Sequence, residues 1–342
     1  MRAVLATAAM LVGCGDDAAS APDASVPAPA HWVTSIEELP GAVLSVWAGD
    51  SLVYAVGADG GDGPMVLRHA DGAWSELDAG VEGDLWWVAP DHEGNLWMVG
   101  AAGMVLRHPI GSDRFERVES GTDATLFGIF FPEPGKAWTV GGWVDDSMPG
   151  GDVRGTVLML EGDAFVPDPR VPGDLLAERA VFKAWGASAD DLWLVGERGL
   201  VLHLVDGEFQ QLETGVSSRI LTVHGSADFG PVAVGGSNNA VLLELDGGGL
   251  TDRSFDVDEG FAPALNGVHV VDADRTVVVG NRGFIAERDA AGDFRLPDEP
   301  PVALHLHAVT VDDDGGTWAV GGDLLGPFDR GLVLYKGPGQ MP

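Results

Sequence analysis

The sequence predicts an all-β chain closed into a ring, a seven-bladed β-propeller with four antiparallel strands per blade. Three observations carry this: a repeat of about 44 residues, seven copies of it, and a richness in valine, tryptophan and glycine. That composition suits short strands joined by tight turns. A Val-Gly pair ends a short apolar run at Val56-Gly57, Val99-Gly100, Val140-Gly141, Val195-Gly196, Val234-Gly235, Val279-Gly280 and Val320-Gly321. The glycines stand 43, 41, 55, 39, 45 and 41 residues apart. Helical solenoids repeat at similar lengths, but so much glycine and valine disfavours helix in nearly every unit.

The units share one internal order. About twelve places before each glycine a first strand centres on a small or branched apolar residue: Val46, Val88, Ile129, Ala184, Val223, Val268 and Val309. A second strand carries Tyr54, Trp97, Trp138, Trp193, Val232, Val277 or Trp318 three places before the glycine. These large side chains are expected to fill the wedge-shaped gaps between blades. A turn follows, then a third strand around Val66, Val105, Val157, Val201, Val241, Ile285 and Val333. Most units end in a Gly-Asp-type turn and a more polar fourth strand, as at Ala73–Leu77 and Phe209–Leu212. The seventh unit stops after its third strand, at Leu332–Lys336. His31–Ser35 aligns with Ala73–Leu77 and is the expected missing strand, so the N-terminal strand closes the last blade and removes the final open edge. The propeller is expected over residues 31–342.

The units resemble bacterial propeller repeats of the two-component-regulator and photosystem II assembly-factor-like types. The best match is Asp91-His92-Glu93-Gly94-Asn95-Leu96-Trp97, leading into Val99-Gly100. The resemblance covers residues 31–342 and implies a blade, not an activity. Its families include sensor ectodomains, assembly factors and many lipoproteins.

Residues 1–13 read as a lipoprotein signal peptide: Arg2, an apolar stretch from Ala3 to Val12, then Leu11-Val12-Gly13 before Cys14. The stretch is too short to cross a bilayer. It resembles a bacterial lipobox, which implies cleavage and acylation at Cys14, the chain's single cysteine. Residues 14–30 are mostly Ala, Asp, Ser and Pro, a lipidated cysteine followed by a flexible tether. Gly15 follows the cysteine where enterobacterial sorting rules would need Asp for inner-membrane retention. That resemblance favours the outer membrane of a bacterial envelope, with the lipid as the one membrane contact.

Composition narrows the function. Fifty-three acidic against 19 basic residues give a net charge of −34, which repels phosphate backbones and anionic lipid and excludes nucleic-acid binding. One cysteine excludes a disulfide scaffold and a thiolate metal site.

The turn before the third strand holds Arg-Gly in four units: Arg154, Arg198, Arg282 and Arg330 precede the glycine. In a propeller this turn lies on a face where the central channel opens. Guanidiniums around that mouth would attract a carboxylate or phosphate; pairing with Glu197, Asp146 or Asp329 is the alternative. Two long loops, residues 142–155 and 322–331, lie on the same face and carry Trp143 and Phe328 as contact candidates. Lys183 stands in a first-strand column otherwise filled by Ser45, Trp87, Gly128, Thr222, Gly267 and Ala308, and is a candidate to enter the channel.

No metal or other cofactor is expected. His305 and His307 share a strand face, and His224 and His269 share a column that also holds Trp47, Phe130 and Trp185, which points to packing. Enzyme motifs are missing: no Gly-x-Ser-x-Gly, no His-Glu-x-x-His and no phosphate-cradling glycine loop. Asp313-x-Gly315-x-Thr317-Trp318 partly resembles the Asp-box of sialidases, but Val311 replaces the hydroxyl residue, and Tyr54 and Tyr335 occupy strand columns. The expected function is therefore a non-catalytic binding or assembly module for an envelope protein or an acidic ligand. A propeller hydrolase or lyase acting on envelope or extracellular glycan is the alternative.

Overall fold

A computed structural model describes residues 31–49, 51–144, 155–246, 249–254, 256–257, 260–297 and 300–337. Cys14, the tether and Arg154 lie outside the described residues. Within them the chain forms a seven-bladed β-propeller, each blade a four-stranded antiparallel sheet; in the first six blades the strands run in sequence order from the axis outward, and in the seventh the outermost is the N-terminal strand. The inner strands are Val43–Gly49, Leu85–Pro90, Thr125–Glu133, Val181–Ser188, Ile220–Ser226, Leu265–Val270 and His305–Val311.

The seventh blade is completed by the N-terminal strand, which spans Val33–Leu39 rather than His31–Ser35. It pairs antiparallel with Gly331–Lys336, Val33 opposite Tyr335 and Leu39 opposite Gly331. Trp32 stays outside the strand and packs on the cluster between blades 6 and 7. Trp74 Nε1 of blade 1 donates to Ser35 Oγ at 2.8 Å, tying the closing strand to the next blade. A short hairpin not foreseen from the repeat, Asp256–Val257 with Gly260–Phe261, lies between blades 5 and 6.

Because strand side chains alternate between the two faces of a sheet, each blade feeds the interfaces on both sides. Leu96 and Met98 join Tyr54 and Val56 of blade 1, while Trp97 and Val99 join Leu126 and Ile129 of blade 3. The core is thus seven wedges between neighbouring blades, not one central mass. Trp97, Trp138, Trp193 and Trp318 fill four of them, as the repeat predicts. Burying an indole N–H needs an acceptor. Asp91, Asp168 and Asp312 supply it to Trp97, Trp138 and Trp318 at 3.0, 2.8 and 2.9 Å. Asp312 also accepts from Gly316 N–H at 2.6 Å, so the segment resembling an Asp-box is a clip on its own hairpin and tryptophan.

One irregularity recurs in every blade. The pairing of the first strand with the second skips a single residue: Leu44, Trp86, Phe127, Phe182, Leu221, Asn266 and His307. This is a β-bulge, which leaves one residue unpaired and re-aims its side chain. Opposite the residue before each bulge stands the glycine of the Val-Gly pair, as Val43 faces Gly57 and Val181 faces Gly196. A Cβ on any of these seven glycines would come within 1.9–2.4 Å of a carbonyl oxygen at or immediately before the start of the first strand: Ala42, Asp84, Thr125, Ala180, Arg219, Ala264 or His305. Room for that carbonyl, not backbone torsion, explains the repeated glycine.

Candidate binding site at the channel mouth

The seven bulged residues converge on the opening of the central channel and line a cavity of about 450 Å³. Five are apolar and cover one arc. Trp86 and Phe127 meet edge to face at 5.3 Å, as do Phe127 and Phe182 at 5.4 Å. The loop residue Phe328 approaches Trp86 at 6.0 Å. The rest of the lining is polar: Asn266 and His307 of blades 6 and 7, with Asn281, and Glu197, Arg219, Thr222 and Ser237 from blades 4 and 5. Asn266 is held by Asn281 Oδ1 at 3.0 Å and Leu306 O at 2.8 Å, and His307 Nδ1 donates to Leu44 O across the ring seam.

Lys183 follows bulged Phe182 and is only 5% exposed. Its Nζ donates to Phe127 O of blade 3 and sits 4.2 Å over the Trp87 ring of blade 2. Gly128 makes room for it: a Cβ there would touch the Lys183 stem at 3.1 Å. Burial without a carboxylate beside it pulls the Lys183 ammonium down to about 7. Burial, with the Lys183 charge second, holds the His307 imidazole down to about 4.

Among the sequence candidates, Lys183 and Phe328 line the cavity. Arg198, Arg282 and Arg330 are exposed at its rim and do not line it. Arg198 and Arg282 adopt φ values of 53° and 59° in single turns of 3-10 helix, the position Ala102 occupies in blade 2. The same turns bring Glu197 and Asn281, one residue earlier, into the cavity wall. Arg198 pairs with Glu178 at 2.9 Å, both well exposed, a contact that contributes little. Trp143 is half-buried and outside the lining, whereas its neighbour Val144 lies within it. Apart from His307, which was weighed only as a metal ligand, the bulged ring and Arg219 were not singled out from the sequence. The signal was present two places before each first-strand centre, where Leu, Trp, Phe, Phe, Leu, Asn and His succeed one another.

The histidines do not assemble a metal site, and no cluster of three ligand-type side chains occurs among the described residues. His224 and His269 stack at 4.4 Å, and His224 Nδ1 accepts from Val270 N–H at 3.0 Å. Burial depresses His224 to about 4 and His269 well below the ordinary range, His269 further by the charges of His224 and Arg275.

No protein-family model and no curated protein sequence matches this chain. The likeness is in shape. The WD40 β-propeller domain of Doa1 superposes with a TM-score of 0.64 at 15% identity, over 89% of this chain and 96% of that one. A streptogramin B lyase gives 0.66 at 10%, over 90% and 98%. YCF48 from Cyanidioschyzon merolae gives 0.63 at 14%, over 90% and 98%. These likenesses establish the propeller fold and nothing finer.

A buried lysine that is neutral in the fold and charged in the unfolded chain makes stability depend on pH. Between the folded value of about 7 and the ordinary 10.5, the unfolded state binds more protons, so stability rises with pH there. Urea unfolding from pH 7 to pH 10 should show wild type gaining on Lys183→Met, by up to about 1.4 kcal/mol per pH unit, the limit for one proton. A gap that does not change with pH would place the ammonium in solvent.

Proposed function

We propose that the protein is a lipid-anchored binding module of the bacterial envelope, whose channel mouth takes an acidic ligand or the acidic segment of an envelope partner. The observation that carries the reading is the ring of bulged side chains. Seven blades each spend a break in regular pairing on presenting one residue to the same cavity, and its volume suits a small-ligand site. Exposed Arg198, Arg282 and Arg330 stand around the opening as a basic rim on an otherwise acidic chain, where they would steer an anion inward. The propeller fold shared with Doa1 and YCF48 fits a binding or assembly role. The likeness to a streptogramin B lyase keeps a catalytic reading in play. Against it, Glu197 is the one carboxylate among the described residues of the cavity wall, and a glycan hydrolase would draw on two.

Anchoring rests on the sequence of residues 1–30: Cys14 carries the lipid, and the Ala/Asp/Ser/Pro segment holds the propeller away from the membrane.

Two experiments test this. Purified protein, screened against acidic peptides and envelope polysaccharides, should bind without turnover, and a Phe328→Ala/Leu325→Ala variant at the rim should bind the same ligand at least tenfold more weakly. Release of new reducing ends or unsaturated sugars by wild type would contradict a non-catalytic module. Separately, Cys14→Ala should move the protein from the membrane pellet to the soluble fraction of the cells that make it. Retention equal to wild type would refute the lipid anchor.

A further inference from the structure

The cavity lining brings the aromatic rings of Trp86, Phe127, Phe182 and Phe328 together with one ammonium, that of Lys183. Lys183 Nζ has three N–H donors. The acceptor Phe127 O and the Trp87 face meet it from neighbouring blades, and no carboxylate pairs with it among the described residues. A buried charge without a counter-ion is costly unless a partner arrives, and Lys183 is among the residues lining an open cavity through which one can reach it.

We propose that the channel mouth is a receptor site for a small amphiphilic carboxylate, its apolar body against the aromatic arc and its carboxylate on Lys183 Nζ. The proposal deepens the binding-module reading and rests on it. Charge decides between ligand classes. In the cavity wall Lys183 and Arg219 against Glu197 leave one positive charge, which balances one carboxylate, whereas a phosphate dianion would bring a surplus charge into a desolvated site. The chain's charge of −34 also opposes any anion, so affinity has to come from apolar contact, which a bare hydrophilic ion lacks.

The other charged groups near Lys183 leave this role to it. His307, across the channel, is neutral above its value of about 4. On the strands packed against Val181–Ser188, Glu133 accepts from Ala189 N–H at 2.9 Å, Asp191 pairs with His203 at 2.8 Å, and His224 stacks on His269. Lys136 and Glu161 are exposed on the outer part of blade 3. Glu197 and Arg219 stand in the cavity wall, and Arg219 adds fixed positive charge at the opening.

The test is calorimetric titration of the folded propeller with 3-phenylpropionate and indole-3-propionate, each beside the corresponding alcohol. At pH 6 the carboxylates should bind at least tenfold more tightly than the alcohols. Their affinity should fall roughly a hundredfold between pH 6 and pH 9, as an amine titrating near 7 loses its proton. Lys183→Met, with its fold checked by circular dichroism, should bind acid and alcohol alike. Should that variant not fold, the acid–alcohol comparison and the pH profile of wild type decide alone. Equal affinity for acid and alcohol, or acid binding that ignores pH, would overturn the carboxylate assignment while leaving a channel that binds ligands. Failure of both probe classes would overturn it too, and the peptide and polysaccharide screen would then judge the binding-module reading independently.

Discussion

A close approach between two backbones organises this molecule. Toward the end of every second strand a glycine lies against a carbonyl at or just before the start of the first strand, near enough that a methyl group in place of its hydrogen would overlap the oxygen. That contact allows the first strand to bulge by one residue, and the bulge turns one side chain per blade toward the axis. The Val-Gly repeat and the channel lining are thus two views of one constraint. The valine before each glycine serves the wedge between blades and the glycine serves the channel, so core and site are built by adjacent residues.

This explains why the fold was legible in the sequence and the site largely was not. Any larger residue at these positions would overlap the facing carbonyl, so the repeat stays visible: seven Val-Gly pairs, and Trp, Tyr or Val three places earlier. The wedge positions are likewise restricted by packing, and Trp97, Trp138, Trp193 and Trp318 lie where their spacing puts them. The bulged position has no such restriction. It holds Leu44, Trp86, Phe127, Phe182, Leu221, Asn266 and His307, unlike residues whose common feature is direction, and direction departs there from the alternation used to read strands. Lys183 was visible as an oddity in its column; its approach to Trp87, two blades away, was not, because contact across the channel leaves no trace in local pattern.

The turns show a similar division. Two of the Arg-Gly pairs repeat one backbone geometry, since Arg198 and Arg282 share a left-handed conformation followed by glycine with Ala102-Gly103, whereas Arg330 does not adopt it. That conformation sends the arginines outward to the rim and hands the wall position to the preceding residue, Glu197 or Asn281. The closing strand shifted for a comparable reason. The pairing of Leu39 with Gly331 sets its register, which leaves Trp32 free to pack beside blade 6 and draws Ile36 to Leu39 into the sheet.

The bulge account is tested most directly by comparing two glycine substitutions within blade 4. In Gly196→Ala the new methyl would meet Ala180 O at 2.1 Å, whereas Gly207, in an exposed turn at φ 83°, has nothing within 4 Å. The account predicts that Gly196→Ala lowers the unfolding free energy by about 2–3 kcal/mol or more through overpacking. It predicts that Gly207→Ala costs about 1 kcal/mol, the strain of an L-residue in a left-handed turn. Equal losses in urea unfolding, or a larger loss at Gly207, would contradict it: the repeated glycine would then serve torsion rather than contact, and the ring of channel-facing side chains would need another cause.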